Sequence, residues 1–191
     1  MRNKKILITA GSTWVPIDRV RVISNIATGA TGILLTARLR RLGAKVKLIL
    51  GPFELGELER RIKKELKSTG YDIVIHSAAV VDYQPKRPGP GKIRSGIKNL
   101  KLELVPTRKL INAVKRFSPK VKLVGFKFEP RASDRYLVVE ARKLMRNSAS
   151  DLVVANTYGR NGYKAFIVSP SGVKGPYYSK RGLAINLVKN L

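Results

Sequence analysis

The sequence predicts a Rossmann-like α/β fold: a doubly wound, mainly parallel sheet with helices on both faces and an antiparallel excursion. Three observations predict it. Apolar β-branched runs alternate with stretches of helical spacing, the pattern of repeated βαβ units. The first run, Ile6 to Ala10, ends directly on Gly11. The chain of 191 residues is also long enough to bury one sizeable core. A single domain over residues 1–191 is the expectation, with no linker, internal repeat or low-complexity tail.

Taken in order, Ile6 to Ala10 is a continuous apolar run, as expected of a strand covered on both faces. Residues 12–28 then form a polar excursion carrying Pro16, Asp18, Arg21 and Asn25. Gly32 to Leu42 has helical spacing, Val46 to Leu50 reads as the second strand, and Glu57 to Leu66 as the second helix. The third strand is Ile73 to His76. Pro85, Pro88 and Pro90 with Gly89, Gly91 and Gly96 mark one long loop, and a long loop inside a compact domain is usually functional. Leu100 to Val105 alternates apolar and charged residues, so it is expected to face water on one side, as an antiparallel excursion able to pair with another subunit. Beyond it come a helix over Arg108 to Phe117, a strand over Lys122 to Phe126 and a helix over Tyr136 to Met145. Strands over Leu152 to Ala155 and Ala165 to Val168 and a last helix over Arg181 to Leu191 complete the pattern.

Composition bounds the function. The absence of cysteine, the lack of any apolar run near about 18 residues, and a start that enters a strand without a leader point to a cytoplasmic protein with no membrane partner. The 39 Lys and Arg against 12 Asp and Glu give a net charge of +27. This excess reads either as solvated faces or as attraction to polyanions, nucleotides and nucleic acids alike. The basic residues lack the repeated aromatics that base stacking uses, so any nucleic-acid binding is expected to be nonspecific.

Several groups are suited to phosphate chemistry. Thr28-Gly29-Ala30-Thr31-Gly32 precedes the first helix and offers backbone N–H groups and two hydroxyls to a phosphate. This string imitates a nicotinamide-binding turn, but residues 12–28 separate it from the first strand. The second strand ends at Gly51-Pro52 with no acid for a ribose 2'-hydroxyl. Both departures argue against a nicotinamide oxidoreductase. Arg21 has the fork of a bidentate phosphate clamp. Asn25 can donate two N–H bonds where negative charge develops on an acyl-phosphate oxygen. After the third strand, Ala78 and Ala79 leave room for a nucleotide near the backbone, and Asp82 suits Mg2+, a ribose hydroxyl or its own loop amides. Lys92 follows Pro88-Gly89-Pro90-Gly91, a flexible approach for a cation acting on a departing pyrophosphate. His76 is the only histidine; with no second partner in view, it reads as a packed strand-end residue.

The string KILITAGSTWVPIDRVRVISNIATGATG, with PIDRVRVISN at its centre, resembles the opening of phosphopantothenoylcysteine synthetases. The resemblance continues in order through Leu48-Ile49-Leu50-Gly51-Pro52, His76-Ser77-Ala78-Ala79-Val80-Val81-Asp82-Tyr83 and Lys92-Ile93-Arg94-Ser95. It extends to Leu123-Val124-Gly125-Phe126 with Glu129 and Asp151-Leu152-Val153-Val154-Ala155-Asn156. It implies a ligase joining 4'-phosphopantothenate to cysteine through an acyl nucleotide, with CTP or ATP as co-substrate, Mg2+, a homodimer and a separate flavin-dependent decarboxylase as partner. It further implies catalytic roles for Asn25 and Lys92 and substrate binding by Arg21, Thr28, Gly29 and Gly32. Nucleotide binding would fall to Gly11, Ala78, Ala79, Asp82, Lys92 and Phe126, with Asp82 toward the metal. Some elements depart from the pattern. Ala27 to Gly32 replaces SSG and a residue before MG, Thr157 stands where Asp is usual, and the late GSD.N segment is reduced to Gly159-Arg160-Asn161-Gly162. A lysine expected on the penultimate helix is replaced near Arg146 and Asn147. The alternative is a catalytically reduced descendant that binds RNA or a ribonucleoprotein through its basic surface.

Overall fold

The computed structural model describes every residue except Asn161. Five parallel strands form one side of a seven-stranded sheet, out to its β4 edge: β1 (Lys5–Ala10), β4 (Lys45–Leu50), β6 (Ile73–His76), β9 (Lys122–Phe128) and β10 (Leu152–Gly159). Two antiparallel strands, β11 (Gly162–Ser169) and β12 (Gly172–Tyr177), extend it, giving the order β12-β11-β10-β9-β6-β1-β4. The continuous apolar sequence of β1 and β6 is explained by its surroundings. Helices α1 (Ala30–Arg41) and α5 (Lys180–Asn190) cover one face, where Leu35, Leu39, Leu183 and Leu187 meet Ile6, Ile8, Ile75 and Val154. Helices α2 (Leu55–Ser68), α3 (Ile111–Phe117) and α4 (Asp134–Ser148) cover the other, with Leu58, Ile62, Val114 and Leu137 among their buried residues. Fully burying side chains of this size stabilises by about 1.5–3 kcal/mol each. The doubly wound α/β class predicted from sequence is therefore the observed one.

The antiparallel excursion lies elsewhere than the sequence predicts. Of Leu100 to Val105, only the last two residues are strand, in β8 (Leu104–Pro106), which pairs antiparallel with β7 (Tyr83–Pro85) as a separate two-stranded sheet. Alternation alone did not make residues 100–103 a strand; of their backbone groups the Glu103 carbonyl accepts from Lys86 N at 2.9 Å. The excursion from the main sheet is the β10–β11–β12 meander. Its last strand contains Gly172, Gly175 and Pro176, residues tolerated at an edge where one row of backbone groups needs no partner. The polar excursion after β1 is itself a small sheet, in which β2 (Thr13–Pro16) pairs with β3 (Val22–Ser24) and with β5 (Phe53–Glu54). These strands were too short to show a period. At the opposite edge from β12, β4 carries exposed Lys45 and Lys47, and the Arg40 guanidinium donates to the Val46 carbonyl at 3.0 Å. No helix among the described residues is long and apolar enough to cross a membrane.

Candidate active site

Counting only the parallel strands in chain order, the sheet runs 2-1-3-4-5. Connections therefore leave β1 and β6 in opposite directions, opening a crevice at their carboxyl ends, the position at which doubly wound sheets take ligands. Glycines let the backbone close around it. Gly11 ends β1 at φ +87°, and a Cβ there would lie 3.0 Å from the Gly51 nitrogen. Gly29 caps α1 in the left-handed conformation at φ +76°, where a Cβ would stand 2.4 Å from Leu50 Cδ1. Gly32, in the first turn, faces Ala10 so closely that a Cβ would meet the Ala10 Cβ at 2.4 Å. The N-terminus of α1 is thereby set down on the end of β1, its first amides directed toward the crevice.

The chain after β6 is zipped to the chain after β1. Ala79 N donates to Gly11 O at 2.8 Å, Thr13 N to Ala79 O at 3.0 Å, and Val81 N to Thr13 Oγ1 at 2.9 Å. Gly11, Ala78 and Ala79 are thus brought to one wall. Asn25 comes from the other side: β2 and β3 pair Trp14 with Ser24, so Asn25 follows opposite Thr13. The Ser24 hydroxyl fixes that register by donating to Thr13 O at 3.0 Å. The Asn25 side chain is exposed and makes no hydrogen bond among the described residues, so its amide remains available to a ligand. Thr28 is exposed beside it, its Oγ1 accepting only a long 3.4 Å bond from Ala30 N.

The turn between β2 and β3 is organised by Asp18, whose residue is only 4% exposed. Its Oδ1 accepts from Val20 N and Arg21 N, each at 2.8 Å. Its Oδ2 accepts from Arg21 Nη1 at 2.6 Å and from Ile93 N at 3.0 Å. The Ile93 amide, followed by those of Val20 and Arg21 and by the guanidinium, outweighs burial and holds the carboxyl well below the usual carboxylate range. Arg21 Nη1 also donates to Ile93 O at 3.2 Å. Part of the guanidinium predicted to clamp phosphate is therefore occupied within the protein, leaving Nε and Nη2 without a bond among the described residues. Lys92, next to Ile93, is exposed and forms no ion pair among the described residues.

Asp82 lies farther along the β6 loop, its main chain held by a bond from Thr107 N at 2.9 Å and its carboxylate ion-paired with Lys109. Lys127, at the end of β9, bonds Glu129 at 2.8 Å. Burial works to lower its ammonium, but Glu129, Glu140 and Asp82 together hold it above the ordinary lysine value. Phe126 is half-buried on β9, on the face that α1 and α5 cover. Among the described residues no three His, Cys, Asp or Glu side chains gather as a metal cage. A Mg2+ at Asp82 would therefore rest on a single protein carboxylate, one already paired with Lys109, with phosphate oxygens and water completing the shell. His76 is buried at 6% exposure, as the sequence suggested, with Nδ1 2.8 Å from Thr9 Oγ1.

Sequence reasoning gave no role to Asp18, Thr13, Lys109 or Lys127. Asp18 followed by Arg19-Val20-Arg21 is an Asx-turn pattern, whose carboxylate caps amides two and three residues on. Lys127 interrupts the apolar run of β9, which was its available signal. Thr157, on β10 where Asp is usual, is buried, and its hydroxyl has no partner among the described residues. Asn161, within the reduced late segment, lies outside the described residues.

A doubly wound sheet that opens a glycine-lined crevice at its switch point, with a helix N-terminus on one wall, defines the class of α/β proteins built to receive phosphorylated ligands. Within that class the chain belongs to the family described as DNA/pantothenate metabolism flavoprotein C-terminal domain, whose family model matches residues 1–191. This is the phosphopantothenoylcysteine synthetase domain family that the sequence resembles. The chain is 37% identical to the coenzyme A biosynthesis bifunctional protein CoaBC of Thermococcus kodakarensis, a match covering 98% of this chain and 50% of that protein. The chain thus spans about half the length of the curated relatives it matches. Among solved structures, the DNA/pantothenate metabolism flavoprotein of Streptococcus pneumoniae superposes with a TM-score of 0.85 at 27% identity, over 98% of this chain and 97% of that one. A Cab2 mutant in complex with phosphopantothenate-cysteine shares the fold with a TM-score of 0.80 at 19% identity, over 99% of this chain and 86% of that one.

Proposed function

We propose that residues 1–191 act as one synthetase-like domain that ligates 4'-phosphopantothenate to cysteine through an acyl nucleotide. The observation that carries this reading is the meeting of the Gly11–Gly29 turn, the Ala79 loop and an exposed, unpartnered Asn25 at the switch-point crevice. A phosphopantothenate carboxylate oxygen attacks the α-phosphorus of CTP or ATP, and the bond to the bridging oxygen breaks as pyrophosphate leaves. The cysteine amine then attacks the acyl carbon, loses a proton and expels the nucleoside monophosphate. No enzyme nucleophile is required, so the protein contributes orientation and charge. Amides at the start of α1, with Thr28 and the remaining donors of Arg21, hold substrate phosphate. Asn25 donates to the acyl-phosphate oxygen, while Lys92 neutralises the departing pyrophosphate. Gly11, Ala78, Ala79 and Phe126 border the nucleotide. Mg2+ held by Asp82 supplies neutralising charge on the phosphates when bound; Lys109 and Lys127 supply it from the protein side.

The same reading includes a cytoplasmic homodimer working with a separate flavin-dependent decarboxylase. Exposed Leu100, Leu102 and Leu104 form a stripe suited to a second copy of the chain. The testing experiment measures pyrophosphate release with phosphopantothenate, cysteine and each nucleotide. Nucleotide- and cysteine-dependent release is expected, and none with any nucleotide overturns the ligase reading.

One observation favours a second reading, a catalytically reduced protein that binds RNA: the charge of +27. If the excess is solvated surface, nucleic-acid binding is nonspecific and collapses between low and physiological salt. Saturable RNA binding at physiological salt together with absent pyrophosphate release would support the second reading.

A further inference from the structure

The sequence presents the Asn25 arm and the Lys92 loop as separate pieces, each joined to the sheet by its own flexible connection. The structure joins them to each other on both sides of Lys92. On one side, Gly89 N donates to Ile17 O at 2.8 Å; a Cβ at Gly89 would lie 3.3 Å from Asp18 Cβ, so this approach is close. On the other side, Ile93 offers both its backbone groups to the arm, the N–H to Asp18 Oδ2 at 3.0 Å and the carbonyl to Arg21 Nη1 at 3.2 Å. Lys92 is held between these fastenings while its own side chain stays exposed and unpaired among the described residues.

The division of labour within the Asp18 carboxylate is what makes this more than a well-capped turn. Oδ1 serves the arm alone, accepting from Val20 N and Arg21 N. Oδ2 serves the connection, accepting from the loop amide and from the guanidinium that reaches the loop carbonyl. An Asx turn needs only the first oxygen. A carboxylate at 4% exposure that accepts four bonds cannot exchange them for water without opening the junction. Asp18 therefore fixes the place of Lys92 relative to Asn25, although it lies on neither strand end of the crevice.

We propose that Asp18 is a positioning residue, a latch that fastens the Lys92 loop to the Asn25 arm so that the two are carried as one unit. Its consequence for catalysis rests on the ligase reading above; the latch itself does not. Asp18→Asn is the discriminating variant. Its amide oxygen can still accept from Val20 N and Arg21 N, whereas its NH2 group meets the Ile93 N–H and the guanidinium donor to donor. The arm turn survives and the loop is released. Ile93→Pro breaks the same bond from the loop side, because proline has no N–H.

The experiment follows tryptic cleavage after Arg94 and amide exchange of Val20 and Arg21 in the wild type, the two single variants and the double variant. Each single variant is expected to speed cleavage at least tenfold while the two turn amides stay protected, and the double variant is expected to add less than twofold, since both changes remove one interaction. In the ligase assay both variants are expected to lower kcat at least tenfold, and Ile93→Pro, which leaves the Asp18–Arg21 pair in place, to do so with less than a threefold change in KM for phosphopantothenate. A purely structural role would not give that split. Wild-type cleavage rates in a folded Asp18→Asn or Ile93→Pro protein would overturn the latch. Faster cleavage in the variants alongside a wild-type protein that releases no pyrophosphate would uphold the latch and overturn the ligase reading.

Discussion

The two ends of the central sheet make opposite uses of the same kinds of residue. At the amino end, Lys4, Tyr71, Asp72, Lys120, Lys122 and Asp151 line a concavity of about 690 Å³. At the carboxyl end, on the outer side of β2 beside α2, the hollow bounded by Val15, Glu54, Gln84, Pro88 and Arg108 measures about 340 Å³. The larger space is not the better candidate. Asp72 there accepts from Lys5 N at 2.8 Å and from Lys4 Nζ at 2.9 Å, while Asp151 accepts from Leu123 N at 2.7 Å and Lys115 Nζ at 2.8 Å. Lys122 Nζ is bonded to the carbonyls of Asn190 and Leu191. These charges finish the starts of strands and are satisfied by the protein itself. At the carboxyl end, Asn25 and Lys92 are exposed side chains without protein partners among the described residues, fixed through their backbones. A recognition site is marked by held but unsatisfied groups more than by volume.

The largest expected effect breaks this contrast at its centre. Asn25→Ala removes a preorganised donor without touching an apolar face, so turnover should fall by about 10²–10³, or about 2.7–4 kcal/mol, with an unchanged unfolding transition. Normal turnover in the folded variant would remove Asn25 from the chemistry.

Next comes a buried group at the carboxyl end of β6. Burial lowers His76 from its ordinary 6.5 to about 4. Between those values the unfolded chain binds more protons than the folded one, so stability falls as pH drops from about 6.5 toward 4 and levels off below. The difference amounts to about 3 kcal/mol. Asp18 acts in the same direction at lower pH, its contribution present above the ordinary carboxylate range and lost as pH falls below it. Denaturant melts across this range should show the His76 slope, and His76→Gln should flatten it; an unflattened slope would assign the acid sensitivity to other groups.

A smaller effect sharpens the carboxyl-end assignment. Lys92→Gln loses a charge-assisted bond worth about 1.5–3 kcal/mol, roughly ten- to a hundredfold in kcat, and should leave phosphopantothenate affinity nearly intact. A pure affinity loss with turnover preserved at saturation would place Lys92 on phosphopantothenate instead. The smallest effect comes from the amino end. Lys4→Ala removes an exposed pair with Asp72, so stability should change by about 0.2–1 kcal/mol and turnover should not change. A large loss of activity would contradict the contrast drawn between the two ends.

The sheet's parallel strands and all five helices were legible in the sequence because each buries a long face against the core, and burial imposes a readable period on strands such as Ile6 to Ala10 and on helices such as α2. The candidate site was legible by residue type and less so by arrangement. Asn25, Lys92 and the glycines announce themselves as unusual in place, whereas the Asp18 junction joins residues 75 positions apart, which no local pattern encodes. The short strands β2, β3, β5 and β7 escaped for a related reason: their order comes from pairing with segments distant in sequence. Leu100 to Val105 shows the converse, a strand-like alternation with too few partner groups to become a strand over most of its length.

The lysines on β4 have a consequence for how molecules of this protein meet one another. An outer strand displays a row of unpaired amides and carbonyls onto which another chain can add, and cations along such a strand discourage that addition. Lys45 and Lys47 stand on it, and Arg40 occupies the Val46 carbonyl. In a protein of net charge +27, approaching copies repel before their edges can align. Some of the excess cationic surface therefore acts as protection against fibre-like growth, and high salt, by screening it, is the condition under which that protection weakens.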